Sequence, residues 1–319
     1  MNSKELAARS LGGLLYCPAS NTTVAEHIID NSWPCLTSMS LCLEDSVADS
    51  GLKQAEEQLV RTLKQLREAA PARMPMLFVR VRGPEHLQHV HKLLGSLEEL
   101  LMGYVFPKFD LVNADAYFDT LRRINDKRKH LFYAMPILES PAVAGMLTRK
   151  KTLEKLRKKV DAQEELVLNI RVGANDLCNL YGLRRGIGQT VYELPVIRDI
   201  LVDILNVFST DHVVSGPVWE YYSEDPESAA VQGLKRELRM DRAAGFQGKT
   251  CIHPSQLPYV FESMKVSPED AADARRVLNW SDDRLAVGAG EGRMNEVKCH
   301  SRWAQGIMTR AAVFGVTGE

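Results

Sequence analysis

Eight short apolar runs recur along the chain, separated by segments of helical periodicity, and this alternation constrains the fold more than any single residue does. The runs are residues 13–17, 36–43, 76–81, 103–106, 131–138, 165–170, 212–214 and 249–252. They are apolar nearly throughout rather than at every second position, which is the pattern of strands buried on both faces of a parallel sheet. Between them, residues 52–69 place Leu52, Leu59, Leu63 and Leu66 on one helical face, and Pro71 stops the helix. Residues 227–244 read the same way, with Gly245 as the stop. Eight strand–helix units predict an α/β chain closed into a (β/α)8 TIM barrel rather than an open sheet. Such a barrel takes about 250 residues. Residues 1–265 supply it, leaving 266–319 as a C-terminal helical arm, helical and then glycine-rich at 288–292, that serves as a lid or a subunit contact.

Composition narrows function by exclusion. Forty Lys and Arg residues against 41 Asp and Glu leave a net charge of −1, so no global charge draws the chain to nucleic acid or to an anionic membrane. No apolar run approaches the roughly 20 residues that span a bilayer. Residues 1–9 lack the apolar core of a signal peptide, so the chain is expected to be cytoplasmic. The six cysteines are scattered, with no C-x-x-C pair, and predict neither a zinc site nor a disulfide framework. Cys17, Cys42 and Cys251 sit in apolar runs and are expected to be reduced and buried. The basic stretch containing Arg149, Lys150, Lys151, Lys155, Arg157, Lys158 and Lys159 reads as a solvated helix face. Neither dinucleotide-binding nor P-loop glycine spacing occurs in its proper context, so 288–292 reads as a loop.

In a barrel of this class the active site lies at the C-terminal ends of the strands. The polar residues closing the runs are therefore the candidates: Glu44 and Asp45, Arg80 and Arg82, Lys108, Glu139, Asp176 and His253. Glu139 and Asp176 follow neighbouring strands. Such a carboxylate pair suits a hard, oxygen-seeking ion, Mg²⁺ or Mn²⁺, whose shell is completed by water and substrate oxygens. Arg80 and Lys108 would meet the charge of a carboxylate substrate or of an enolate. A Lewis-acid ion beside fixed positive charge is what an aldol or retro-aldol step requires. Each residue alone has a plainer reading: Asp176 as the cap of the helix that follows, Glu139 as the partner of a lysine.

Seven segments, in order and over nearly the whole chain, resemble the citrate lyase beta-subunit family of the wider HpcH/HpaI aldolase superfamily. They are Leu14-Leu15-Tyr16-Cys17-Pro18-Ala19, Leu43-Glu44-Asp45-Ser46-Val47-Ala48, Val79-Arg80-Val81, Phe106-Pro107-Lys108, Ile137-Leu138-Glu139-Ser140, Gly173-Ala174-Asn175-Asp176-Leu177, and Gly245-Phe246-Gln247-Gly248-Lys249 followed by Ile252-His253-Pro254-Ser255-Gln256. The resemblance implies a barrel whose arm packs on a neighbouring subunit in a homotrimer or hexamer. It implies Mg²⁺ on Glu139 and Asp176, with Arg80 over the substrate carbonyl. It also implies carbon–carbon lyase action on a 3-hydroxy acyl thioester, such as citramalyl-CoA, malyl-CoA or a citryl thioester, carried by coenzyme A or an acyl carrier protein. Glu296 stands where the family has an aspartate and would act across the subunit interface.

The chain departs from the family at several places. Cys42 replaces an aspartate. Gly12-Gly13 stands where an arginine is common, with Arg9 close by. Arg82 replaces an asparagine and would add a cation to the pocket mouth, and Glu56 and Glu57 stand where an arginine is frequent. Two alternatives therefore stay open: a coenzyme-A-independent, metal-dependent aldolase on another carboxylate, and a metabolite-binding barrel without turnover.

Overall fold

The structure is a computed structural model that describes residues 3–33, 35–126, 128–281, 287–290 and 292–318. Among these, the parallel strands are β1 (Gly13–Pro18), β2 (Ser38–Cys42), β3 (Met76–Arg80), β4 (Leu101–Phe106), β5 (Tyr133–Leu138), β6 (Ile170–Val172), β7 (Val214–Ser215) and β8 (Lys249–Cys251). They pair in the order β7-β6-β5-β4-β3-β2-β1-β8. Closure lies between β7 and β8: Gln247 N donates to Val214 O at 2.8 Å, Gly216 N to Gly248 O at 2.9 Å and Thr250 N to Gly216 O at 3.2 Å. The predicted TIM barrel is the observed fold.

Strand alternation sorts the side chains between two cores. In β3, Leu77 and Val79 face outward and join the helix layer, while Phe78 faces inward and packs with Leu14, Val105, Met135 and Ile137. The helix Leu52–Ala69 buries Leu59, Leu63 and Leu66. The helix Ala229–Ala244 begins where Ser228 accepts a bond from Val231 N, and ends at Gly245, whose φ of 103° favours glycine. The basic helix is Met146–Asp161; it buries Leu153, Leu156 and Val160. Its outer charges pair at the surface, Arg157 with Asp161 and Asp211, Lys158 with Glu154 and Lys159 with Asp115. All six cysteines are free, and Cys17, Cys42, Cys178 and Cys251 are buried. No described helix is long and apolar enough to cross a membrane.

Two expectations are corrected. The sixth strand, expected at 165–170, forms at Ile170–Val172. Residues 166–168 pair with β5 at a single isolated bridge, where Ala134 donates to Leu166 O and accepts from Leu168 N. The apolar run ends before the strand does because the strand continues through a buried arginine, Arg171. The glycines at 288–290, expected in a loop, lie in and beside a hairpin of β9 (Val287–Ala289) and β10 (Met294–Glu296). A Cβ on Gly288 would overlap the Trp280 ring, so this glycine permits close packing.

The arm is thus helix Pro268–Leu278, hairpin, and helix Val297–Phe314. It has its own core of Val266, Ala274, Val277, Ala304 and Ile307. Phe314 stacks edge-on with Phe261 at 5.5 Å and lies beside Gly12, just before β1 begins. The arm is therefore fastened near the N-terminal rim of the barrel.

Candidate active site

At the C-terminal ends of the strands is a pocket of about 440 Å³ whose walls include Tyr16, Arg80, Glu139, Arg171, Asp176 and Thr250. Glu139 follows the last residue of β5. Asp176 is not on a strand end, as expected, but on the helix Ala174–Leu180 that follows β6. Both carboxylates reach the one pocket. Glu139 is 4% exposed, and its Oε1 accepts the Lys108 amide at 2.7 Å. That amide is aimed by a left-handed backbone at Lys108, φ 49°. The Asn113 side chain donates to the Lys108 carbonyl at 2.9 Å and steadies the turn. Across the pocket wall, a Cβ at Gly173 would overlap Glu139 Oε2, so only glycine leaves this carboxylate room.

Burial, opposed by Arg80 and reinforced by the negative Asp176, pushes the Glu139 carboxyl up to about 8. A divalent cation relieves both causes of that shift. Among the described residues no group of three or more His, Cys, Asp or Glu side chains converges as a metal cluster. What this pair can hold is an ion content with two carboxylates plus water and substrate oxygens, Mg²⁺ or Mn²⁺, and not tetrahedral zinc.

A pH dependence follows. Folding raises this acid's pKa, so its contribution to stability is complete below the ordinary carboxylate range and is lost as pH rises through about 8. A cation binds where the proton leaves. Mg²⁺ affinity measured by calorimetry is expected to rise about tenfold per pH unit from 6 to 8 and then level off. Glu139→Gln should flatten that rise; an equally steep profile in the variant would refute the assignment.

A charged ring borders the pair. Arg80, at the end of β3, places Nη2 2.6 Å from Glu44 Oε2, 2.9 Å from Asp45 Oδ2 and 4.0 Å from Glu139 Oε1. The Lys108 ammonium bonds Glu44 Oε1, and Asp45 Oδ1 at 3.0 Å. Burial works against the Lys108 charge, yet the bonds to Glu44 and Asp45 hold its pKa above the usual value. It is a fixed cation and not a base near neutral pH. Asp45 lines the pocket, whereas Glu44 and the half-exposed Lys108 border it without lining it. Arg80 is buried, and its Nε has no protein partner.

Other candidates lie elsewhere. Arg82 does not add charge to the mouth: it bonds Leu43 O at 2.8 Å, Val47 O at 2.5 Å and the Asp49 carboxylate, and so pins the 44–49 loop. His253 stacks on Tyr222 at 4.2 Å and bonds Ser255 Oγ at 2.9 Å, outside the pocket lining. Glu296 closes β10, and no residue of the arm lines this chain's pocket. Arg9 bonds Gln247 Oε1 at 2.8 Å, ahead of β1 and outside the pocket lining. Lys249 faces away from the barrel interior, 2.9 Å from Glu237 and 2.6 Å from Asp241, and Arg185 also reaches Glu237 at 2.6 Å.

Among the pocket residues to which the sequence assigns no role are Tyr16, Arg171 and Thr250. The signal for Arg171 was present: a lone arginine between apolar residues of a buried strand.

A TIM barrel with paired carboxylates and fixed cations at its C-terminal rim is the arrangement of a carbon–carbon bond lyase. Residues 5–316 match the family described as C–C bond lyase of the TIM-barrel fold, and the chain belongs to that family. It is 45% identical over 64 residues to the citrate lyase subunit beta-like protein of Mycobacterium tuberculosis, a match covering 20% of this chain and 23% of that relative's length. Its fold is similar to a citrate lyase of Burkholderia xenovorans LB400, with a TM-score of 0.71 at 14% identity over 96% of this chain and 93% of that one. It is also similar to the M. tuberculosis protein CitE, solved with magnesium, acetoacetate and coenzyme A, with a TM-score of 0.64 at 22% identity over 95% and 99%.

Proposed function

We propose that this protein is a Mg²⁺-dependent carbon–carbon lyase acting on a 3-hydroxy acyl thioester such as citramalyl-CoA, malyl-CoA or a citryl thioester. The observation that carries this reading is the meeting of Glu139 and Asp176 in one pocket beside Arg80. The similar M. tuberculosis folds, solved with magnesium and with acetoacetate and coenzyme A or with oxaloacetate, support it.

Glu139 and Asp176 would hold the ion, which when bound supplies a Lewis acid to the substrate oxygens. The Lys108 amide and the space left by Gly173 fix the Glu139 rotamer. Arg80, tied down by Glu44 and Asp45, presents positive charge to the oxyanion that develops as the bond breaks. Ile137, Val172, Val218 and Ile252 supply an apolar wall that limits water. We place the barrel at 1–265 and read 266–319 as the contact of a homotrimer or hexamer, whose Glu296 serves a neighbouring pocket. We also place the protein in the cytoplasm, acting on small molecules rather than on nucleic acid or membranes.

The test is a panel of hydroxyacyl-CoA thioesters and their free acids with Mg²⁺. Pyruvate, glyoxylate or oxaloacetate released from a thioester, and abolished by EDTA, is the expected result. Turnover of free acids alone would replace this reading with the coenzyme-A-independent aldolase. Ligand binding without turnover on the whole panel would replace it with the non-catalytic barrel.

A further inference from the structure

Arg171 is 1% exposed, lines the pocket, and has no carboxylate partner among the described residues. Its Nη1 donates to Asn169 Oδ1 at 3.2 Å and its Nη2 to Thr250 Oγ1 at 2.7 Å, both neutral. Its Nε makes no hydrogen bond of ordinary geometry, and the nearby Tyr16 hydroxyl is the other polar group that supports the guanidinium. Asn169 is locked in turn by Ser215 Oγ at 3.0 Å and Val213 O at 3.1 Å, so the guanidinium is held by a built polar frame. Its carbon lies 5.9 Å from the Tyr16 ring centroid, and that of Arg80 lies 5.5 Å from the same ring.

The contrast with the other buried arginines is informative. Arg80, Arg149 and Arg185 each meet an acid, at 2.6, 2.8 and 2.6 Å respectively. Arginine stays ionised in proteins, and a buried cation without a counter-charge is costly. Packing alone would be served better by an apolar residue at this strand position. The missing charge has a place to come from, because the side chain borders a pocket large enough for a small acid.

We propose that Arg171, framed by Asn169 and Thr250, is an anion subsite that binds a second carboxylate of the substrate, distinct from the end held at Glu139 and Asp176. Of the thioesters named above, this selects one that keeps a second free carboxylate, as a citryl thioester does and malyl-CoA and citramalyl-CoA do not; as a free-acid probe the preferred ligand is a small dicarboxylate rather than a monocarboxylate of equal length. This rests on the metal reading for the other end of the pocket.

A matched pair of stable probes tests it: malate, and 2-hydroxybutyrate, which carries a methyl group in place of the second carboxylate. Titrated calorimetrically into the Mg²⁺-loaded protein, malate is expected to bind at least about tenfold more tightly, since a buried polar group rejects an analogue that leaves it unpaired. Arg171→Met should bring the two within about twofold, and Arg171→Lys should keep part of the difference. Equal affinities in the wild type, or a preference that survives Arg171→Met, would overturn the proposal. Should Arg171→Met fail to fold, the wild-type pair still decides, and Thr250→Val, which removes one partner of the guanidinium, should weaken malate selectively. The metal reading fails separately: 2-hydroxybutyrate binding equally well in EDTA would defeat it while leaving the malate preference to report on Arg171.

Discussion

Glu139→Gln is expected to bind Mg²⁺ about a hundredfold more weakly than the wild type at pH 8, and to lose lyase turnover by about three orders of magnitude. The fold should survive. Glutamine keeps the shape and the carbonyl that accepts the Lys108 amide, and it removes a charge that burial disfavours. In EDTA at pH 8 the variant is therefore expected to melt higher than the wild type, while in excess Mg²⁺ the order reverses, because only the wild type gains stability from the ion. Asp176→Asn should weaken the ion in the same direction with less effect on melting, since Asp176 is more exposed than Glu139. Mg²⁺ affinities unchanged in both variants would remove the metal from this pocket and the proposed chemistry with it.

The largest stability effect is expected away from the pocket. Lys249→Met strands two buried acids, Glu237 and Asp241, that the lysine holds at 2.9 and 2.6 Å. Removing one partner of such a buried network costs about 3–5 kcal/mol. Arg185 still reaches Glu237, and the Val191 amide donates to it at 2.7 Å, so Asp241 is left worse off, with the Tyr192 hydroxyl at 2.6 Å. Adding Asp241→Asn should therefore recover part of the loss. Urea unfolding of both variants measures this. A Lys249→Met protein of wild-type stability but without turnover would show that the ammonium belongs to the chemistry and that the outward assignment is wrong.

That lysine shows the limit of reading motifs. It sits in a segment that resembles a known family's, and nothing in the local sequence says which way a strand residue points. Its direction is set by the register of β8 on β1 and by an acid-bearing helix packed outside. Arg82 makes the same point: two residues after Arg80 on an extended chain it reads as another pocket cation, yet loop carbonyls take up its donors.

Burial periodicity made the rest legible. The helix Leu52–Ala69 follows from its leucine spacing and the end of Ala229–Ala244 from Gly245, because both are local properties of the backbone. The clustering of Glu44, Asp45, Arg80, Lys108 and Glu139 follows from one rule, that parallel strands in a barrel deliver their C-terminal ends to one rim.

By itself, then, the amino-acid order determined the α/β alternation, the closed barrel and the group of residues delivered to its functional rim, since these depend on periodicities of two and 3.6 residues and on chain polarity. The tertiary structure alone decided which of those side chains face the pocket. It left Arg171 without an acid, turned Lys249 outward and fastened the arm at the opposite rim. The reason is physical: pairing of buried charges depends on distances across strands that are remote in sequence, and only the closed barrel sets those distances.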